Sequence, residues 1–251
     1  MMIWLRSSLY ALGLLIATPV FSILAILAYP LPPLTRSRII AQWSHVMLWW
    51  AKLTCGLTYR VVGAENIPDH PCVILAKHQS AWETMAFQCI FPPVVWVMKK
   101  ELLRIPFFGW GLAMTSPIAI DRSAGKEALR QVTDQGKARL ATGFWVVVFP
   151  EGTRVKPGVK GKYNIGGAFL ATHSGATVLP VAHNAGEFWG KNAFLKHPGT
   201  ITLSIGKPIQ ACGMKAGELN SQAEAWIEQE MQRIARDYKG GPLGHTPHPA
   251  Q

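Results

Sequence analysis

A histidine and a carboxylate lie five residues apart in the segment KHQSAWET, which spans residues 77–84. His78 follows the apolar run CVILA and precedes the apolar stretch AWETMAFQCI, so it is expected between a strand and a helix. On one continuous helix, His78 and Glu83 would diverge by about 140°. They can meet only if His78 lies in the turn before the helix and Glu83 lies in its first turn. A carboxylate on one imidazole nitrogen would then leave the other nitrogen free to accept a proton.

A second polar cluster, FPEGTR, follows directly on the apolar run FWVVV. Its proline ends the predicted strand, and Gly152 permits a tight backbone turn. Thr153 offers a hydroxyl group, and Arg154 offers a planar, forked cation suited to a phosphate monoester. The alternative is a polar loop in which Glu151 and Arg154 form a structural ion pair.

Three further segments place polar residues near predicted strand ends. KKELLRIPFFGWG begins at Lys99 and includes Lys100, and AIDR ends at Arg122. VLPVAHN contains His183, which is a candidate for lining the same site. Each is weak alone, because a cation or a histidine near a strand end is more often part of a solvated surface.

Short β-type segments alternate with helical ones after residue 56. The predicted strands cover residues 57–62, 72–76, 94–98, 117–120, 144–149, 177–182 and 200–205, and the predicted helices cover residues 81–90, 125–142, 165–173 and 218–238. This alternation favours an α/β fold with a central, mostly parallel sheet flanked by helices. FWVVVF is apolar on both faces, as expected of a strand covered on both sides. Such folds place reactive groups at strand ends.

The N-terminal region predicts attachment to a membrane. Residues 7–34 include no charged side chain, and about 20 apolar residues suffice to cross a bilayer core. The segment is too long for the apolar part of a typical signal peptide. A second helical pattern follows, in which Trp43, Trp49 and Trp50 favour a membrane–water interface. That second helix could lie in the headgroup region or pack on the protein's own core. The first helix could span the bilayer, or both helices could form a hairpin that enters only one leaflet.

Composition narrows the class of protein. The chain has 25 Lys and Arg against 14 Asp and Glu, a formal net charge of +11, which favours polyanionic partners: nucleic acid, an anionic membrane surface or a phosphorylated substrate. Charge alone does not choose among the three. Its four cysteines form no Cys-x-x-Cys motif and suggest no disulfide framework. We predict membrane-associated helices over residues 1–56, an α/β domain over residues 57–239 and a disordered tail over residues 240–251.

Taken together, the polar blocks resemble the PlsC-type glycerolphosphate and lysophospholipid acyltransferases, most closely the bacterial 1-acyl-sn-glycerol-3-phosphate acyltransferases. The resemblance covers roughly residues 72–181 and rests on four ordered blocks: H-x4-E, AIDR, FPEGTR and VLPVAHN. The joint occurrence of the first and third blocks is highly specific. The family more commonly has Asp at the position of Glu83 and Asn at the position of Lys77.

The resemblance implies a glycerolphosphate acyltransferase-like α/β domain and a catalytic dyad of His78 and Glu83. It implies that three blocks bind the phosphate of the acceptor, through Lys100, Arg122, Glu151, Gly152, Thr153 and Arg154. His78 would remove the proton of the sn-2 hydroxyl of lysophosphatidic acid as that oxygen attacks the thioester of acyl-CoA or acyl-carrier protein. The imidazole of His78 and the guanidinium of Arg154 should then open onto one pocket, far enough apart to seat a glycerol backbone.

The same resemblance implies no cofactor, no metal and no nucleic-acid partner; the partners would be lysophosphatidic acid, the acyl donor and membrane lipids. It implies the bacterial inner membrane, with the catalytic domain on the cytoplasmic face. Three alternatives remain open: a different acceptor (glycerol 3-phosphate, another lysophospholipid or an aminolipid), a lipid hydrolase or thioesterase, and a non-enzymatic membrane protein that binds lipid or nucleic acid. A serine hydrolase would usually show G-x-S-x-G, which is lacking in the sequence. A protein that only binds lipid or nucleic acid would not account for the joint occurrence of the H-x4-E and FPEGTR blocks.

Overall fold

The structure, a computed structural model, describes residues 1–121 and 124–236. Within these residues, two long helices precede a sheet of seven strands: β1 (Leu57–Val62), β2 (Val73–Ala76), β3 (Val94–Lys99), β4 (Ile118–Ile120), β5 (Trp145–Val148), β6 (Val178–His183) and β7 (Gly199–Ile205). The helices are α1 (Met2–Leu27), α2 (Pro33–Cys55), α3 (Trp82–Ile90), α4 (Phe108–Ala113), α5 (Lys126–Ala141), α6 (Gly166–Ser174), α7 (Ala185–Phe188) and α8 (Ala216–Arg236). Short 3-10 helices cover Ala64–Asn66 and Lys100–Arg104.

The strands form one sheet in the order β1-β7-β6-β2-β5-β3-β4. Every neighbouring pair is parallel except β6 and β7, which are antiparallel. The predicted α/β class with a mostly parallel sheet is therefore confirmed. Each of the seven predicted strands is present, and β1 has the predicted bounds.

The predicted helices also form, with ends that differ by one or two residues where both ends are described. The helix predicted over residues 218–238 begins two residues earlier, as α8, and its last two predicted residues lie outside the described part, as does the predicted tail over residues 240–251. The helices α4 and α7, which have six and four residues, were not predicted. Helices this short leave too few residues for a 3.6-residue apolar period to be recognised.

Helices cover both faces of the sheet. One apolar core cluster joins α1, α2 and α3 to one face, and a second joins α5, α6 and α8 to the other. All four residues of β2 and all four of β5 are buried, which agrees with their apolar sequences VILA and WVVV. These two strands form the centre of the domain, so the loops that follow them start from rigid positions.

The two N-terminal helices pack on the domain and on each other. Along α1, the hydroxyl of Ser7 accepts a hydrogen bond from the backbone N–H of Lys196, and the hydroxyl of Tyr10 contacts the sulfur of Met85 in α3. The opposite face of α1 exposes large apolar side chains, and the helix is long and apolar enough to cross a membrane. The division of the chain at residue 56 stays a prediction, although α2 does end at the preceding residue.

Two placements were left open for α2, in the headgroup region of a membrane or against the protein's own core, and each fits one face of the helix. The face that includes Ile40, Met47 and Ala51 is buried against the domain. Trp49 and Leu53, by contrast, are about 60% exposed, on a face that no described residue covers. α2 ends at Cys55 and is followed by Gly56, whose φ of +66° is the left-handed conformation that commonly ends helices.

Candidate active site

Four of the polar blocks follow the carboxyl ends of four adjacent parallel strands. β2 leads into KHQSAWET, β5 into FPEGTR, β3 into the segment that begins at Lys99, and β4 into the end of AIDR. Neighbouring strands lie about 4.8 Å apart, so the blocks form a row along one edge of the sheet. Open α/β sheets bind ligands at this edge, and the sheet order therefore brings the candidate residues to one place.

His78 lies in the loop between β2 and α3, and Glu83 lies in the first turn of α3, as predicted. Their side chains meet: Nδ1 of His78 is 2.8 Å from Oε1 of Glu83. This short contact favours the tautomer with the proton on Nδ1, which leaves Nε2 as a proton acceptor. The imidazole also stacks on the ring of Phe149, with ring centroids 4.0 Å apart. The ring is thus held from its edge and from one face.

Glu83 is fully buried and surrounded by donors. Its carboxylate accepts hydrogen bonds from the backbone N–H groups of Gln79 and Ser80 at 2.9–3.0 Å, besides the bond from His78. Burial opposes ionisation, but the nearby His183, the bond from His78 and the N–H of Ser80 outweigh it and lower the pKa of Glu83. Glu83 is therefore a carboxylate at neutral pH and can orient the imidazole.

The FPEGTR loop is bonded to the backbone of His78 at two points. The N–H of His78 donates to Oε2 of Glu151 at 3.0 Å, and the N–H of Val155 donates to the carbonyl of His78 at 2.8 Å. Arg154 lies between these two anchors in the chain. The loop can turn back because Gly152 adopts a φ of +69°, which other residues rarely adopt. The two blocks that were singled out in the sequence therefore form one bonded unit.

Arg154 opens onto a cavity of about 450 Å³. His78 is not among the residues that line this cavity, so a pocket shared by the two side chains stays a prediction. The cavity runs between α1, α3 and the segment before α4, and its mainly apolar lining includes Leu14, Leu15, Ala81, Met85, Phe107 and Trp189. Nε of Arg154 is buried and has no hydrogen-bond partner among the described residues. A buried guanidinium N–H without a partner is costly, and it suits an anionic ligand.

The other predicted phosphate-binding residues occupy different surroundings. Glu151 is buried, and its oxygens accept bonds from Nζ of Lys77, the N–H of Gly161 and the N–H of His78. Thr153 is exposed, and its hydroxyl is 3.3 Å from Nζ of Lys191. Glu151 therefore shapes the loop from within, whereas Thr153 is free to meet a ligand. Their roles in phosphate binding stay predictions.

Lys100 and Arg122 lie further along the row. Lys100 follows β3, two strands from β2, and its Nζ is 2.5 Å from Oδ2 of Asp121. Two strand spacings correspond to about 10 Å, so Lys100 could approach a ligand at His78 only by directing its long side chain towards it. Arg122 follows β4, one strand further, and lies outside the described residues.

Two residues near the site were missed or placed differently by the sequence analysis. His183 was a candidate lining residue, but it is fully buried behind Glu83, with Nε2 donating to the carbonyl of Lys77 at 2.9 Å. Burial lowers the pKa of His183, and the carboxylate of Glu83 opposes this shift. Lys191 was not predicted at all; the only sequence signal is a cation in the loop after α7. His183 supports the dyad from behind, and Lys191 adds positive charge beside Thr153.

Comparisons with known proteins agree with this arrangement. The family model described as Acyltransferase matches residues 58–184. A 1-acyl-sn-glycerol-3-phosphate acyltransferase of Pseudomonas aeruginosa is 45% identical over 236 residues, which cover 92% of each chain. An enzyme of the same name from Saccharomyces cerevisiae is 28% identical over 88% of this chain and 73% of its own.

The fold is also known from a solved structure. The crystal structure of the 1-acyl-sn-glycerophosphate (LPA) acyltransferase PlsC from Thermotoga maritima matches with a TM-score of 0.77 at 21% identity, over 94% of this chain and 97% of that chain. A likeness at this low identity supports the shared fold alone. The family model and the 45% identical relative show more than the fold. Together with the joined H-x4-E and FPEGTR blocks, they show that the chain is an enzyme of the PlsC-type acyltransferase family.

Proposed function

We propose that the chain transfers a fatty acyl group from acyl-CoA or acyl-carrier protein to the sn-2 hydroxyl of 1-acyl-sn-glycerol 3-phosphate, which gives phosphatidic acid. The observation that supports this most strongly is the contact between His78 and Glu83 on a backbone bonded to both sides of Arg154. A general base and a phosphate-binding cation are thereby fixed relative to each other. The relatives from Pseudomonas aeruginosa and Saccharomyces cerevisiae carry the name of this reaction.

In the proposed reaction, Nε2 of His78 removes the proton of the acceptor hydroxyl as the oxygen attacks the thioester carbonyl. Glu83 holds the ring through Nδ1 and stabilises the imidazolium that forms. The tetrahedral intermediate then collapses with loss of the thiolate, which takes up the proton that His78 received. The thioester supplies the activated acyl group, so the proposal needs no cofactor and no covalent enzyme intermediate.

The cavity at Arg154 fits a lysophospholipid acceptor. Its walls are mostly apolar, and its lining includes Arg154, whose buried Nε has no hydrogen-bond partner among the described residues. An acceptor with one acyl chain and one phosphate monoester offers the matching apolar and anionic parts. Holding the phosphate there would fix the hydroxyl near His78, and such positioning can lower a barrier by several kcal/mol. Lys100, Arg122 and Thr153 would add to phosphate binding as the acceptor enters the row of loops.

The proposed location is the inner membrane of a bacterium, with the catalytic domain on the cytoplasmic face, where acyl thioesters are formed. The exposed apolar face of α1 and the net charge of +11 suit attachment to an anionic leaflet. Because both the acceptor and the product are lipids, a site beside the leaflet avoids moving an acyl chain through water.

Replacing His78 with Ala tests the proposal. We expect the rate of acyl transfer to lysophosphatidic acid to fall about 100- to 10,000-fold, the usual contribution of a general base. The measurement is transfer from labelled acyl-CoA by full-length protein in membranes, with competing acceptors such as glycerol 3-phosphate to establish acceptor preference.

His173→Ala is the matched control, because this exposed histidine lies in α6 and, among the described residues, bonds to Thr172 and Phe169 of its own helix. It should transfer acyl groups at the wild-type rate. A His78→Ala variant that keeps more than a tenth of the activity would exclude His78 as the base. Release of free fatty acid without any acceptor would favour a thioesterase instead.

A further inference from the structure

The lysine that precedes His78 is one of the most deeply buried side chains of the domain. Lys77 is 1% exposed, and its ammonium group has three N–H donors. All three have acceptors: Oε1 of Glu151 at 2.7 Å, Oε1 of Glu228 at 2.8 Å and the carbonyl of Val159 at 3.1 Å. A buried ammonium that is fully hydrogen-bonded to two carboxylates is a specific structure rather than a solvated surface charge.

The same lysine connects the C-terminal helix to the active site. Glu228 belongs to α8, and its Oε1 also accepts a bond from the hydroxyl of Tyr163 at 2.9 Å. Glu151, on the other side of Lys77, accepts the N–H of His78 through its second oxygen. A continuous chain of hydrogen bonds therefore runs from α8 through Lys77 and Glu151 to the backbone of His78.

We propose that Lys77 is a positioning residue for acyl transfer, with Glu228 as its partner: it holds Glu151 in place, and Glu151 in turn fixes the backbone of His78. This inference rests on the proposed role of His78 as the base. Lys77 does not touch the reacting atoms, since its donors are all used within the protein. It acts through the geometry of the loop that bears His78 and of the loop that bears Arg154.

The charges explain why a lysine is needed here. Glu151 and Glu228 both direct an oxygen at the same point, and without a cation two carboxylates would face each other in a mostly buried space. Lys77 and Glu228 are thus expected to depend on each other although 151 residues separate them in the chain.

The first test replaces Lys77 with Met, which keeps the length of the side chain but removes the cation. We expect kcat per folded molecule to fall roughly 10- to 100-fold, because small displacements of catalytic groups have effects of this size. KM for lysophosphatidic acid should change less than threefold. The assay uses full-length protein in detergent micelles with palmitoyl-CoA, and near-ultraviolet circular dichroism gives the folded fraction.

The second test adds Glu228→Gln to Lys77→Met. The double variant has one carboxylate fewer, and Glu151 keeps its two backbone donors, from His78 and Gly161. We expect it to recover at least threefold in kcat per folded molecule over the single variant. The same comparison tests the inference if Lys77→Met fails to fold, because the double variant should then restore both folding and acyl transfer.

Glu224→Gln provides the matched control. Glu224 lies one turn before Glu228 on α8 and pairs with Lys160, whose side chain is 60% exposed. Its loss should leave kcat unchanged. The inference is overturned if Lys77→Met keeps wild-type kcat per folded molecule, or if the double variant is as inactive as the single one. His78→Ala, measured in parallel, separates this from the proposed function: retained transfer in that variant would refute the base itself.

Discussion

At the scale of single residues, Arg154 is the side chain of the site that is best placed to bind a phosphate group. Its Nε is buried and has no partner in the part of the chain that the structure describes, and Glu151 and Val155, on either side of it in the chain, are both bonded to the backbone of His78. A guanidinium can form two parallel hydrogen bonds to a phosphate, which an ammonium cannot. The position of Arg154 therefore fits recognition of the acceptor and not proton transfer.

Arg154→Ala should raise KM for lysophosphatidic acid about 10- to 100-fold, because hydrogen bonds to charged groups contribute about 1.5–3 kcal/mol each. KM for the acyl donor should stay within twofold. Arg154→Lys keeps the charge but loses the fork, so its KM should lie between those of the wild type and the Ala variant. Steady-state kinetics with each substrate varied in turn would check this, and an effect confined to the donor would contradict it.

At the scale of elements, α6 fixes the two strands that end in the catalytic loops. Gly167 lies on the face of α6 that packs on the sheet, where an added Cβ would be 2.5 Å from Cδ2 of Leu75 in β2 and 3.1 Å from Cβ of Val148 in β5. Side chains there are buried and closely packed, so they have little room to move. The helix approaches the strands this closely only because residue 167 has no side chain.

Gly167→Ala should therefore destabilise the protein by about 1–3 kcal/mol, the usual cost of overpacking, even though Ala favours helices. Gly166→Ala is the control in the same helix, because its Cβ would meet only Cδ1 of Leu129, at 3.9 Å. Denaturant unfolding of both variants measures the difference in the free energy of unfolding. If Gly167→Ala were as stable as Gly166→Ala, close packing of α6 on the strands would not limit stability.

At the scale of the whole molecule, one side of the protein is suited to a lipid surface. Large apolar residues are exposed along α1, on α2 and around α4, and they include Leu5, Leu12, Ile16, Leu53, Phe107 and Trp110. α1 is nevertheless packed against the domain from Ser7 to Ser22, where Gly111 of α4 lies close to Ser22. The apolar face and the catalytic domain thus belong to one packed body, which favours attachment beside the site.

Replacing both Leu12 and Ile16 with Gln should weaken binding to phospholipid vesicles about 100-fold or more, since each buried aliphatic side chain contributes about 1.5–3 kcal/mol. Both residues are exposed and lie on the same face of α1. Val62→Gln on the edge strand β1, also exposed, should leave vesicle binding unchanged. Sedimentation with vesicles measures the effect; equal binding of the double variant and the wild type would argue against α1 as the anchor.

Much of the fold followed from local patterns. The seven strands, the parallel arrangement and the long apolar helix were predicted because apolar periodicity and segment length are local properties of the chain. The contact of His78 with Glu83 was allowed by the local pattern, which fixes the one placement in which they can meet, and was predicted from the resemblance to the acyltransferases. The face of α2 that is buried was left open, because apolar residues occur on more than one of its faces and packing alone decides which face is covered.

The sequence by itself determined which residues can do chemistry here: an imidazole with a carboxylate beside it, and an arginine after a strand that is covered on both sides. Only the tertiary structure decided that β5 lies next to β2, that Glu151 binds the backbone of His78, and that Lys77 meets Glu228. The physical reason is distance along the chain. His78 and Glu151 are 73 positions apart, and Lys77 and Glu228 are 151 apart. Contacts at such separations depend on strand order and helix packing, which no local pattern specifies.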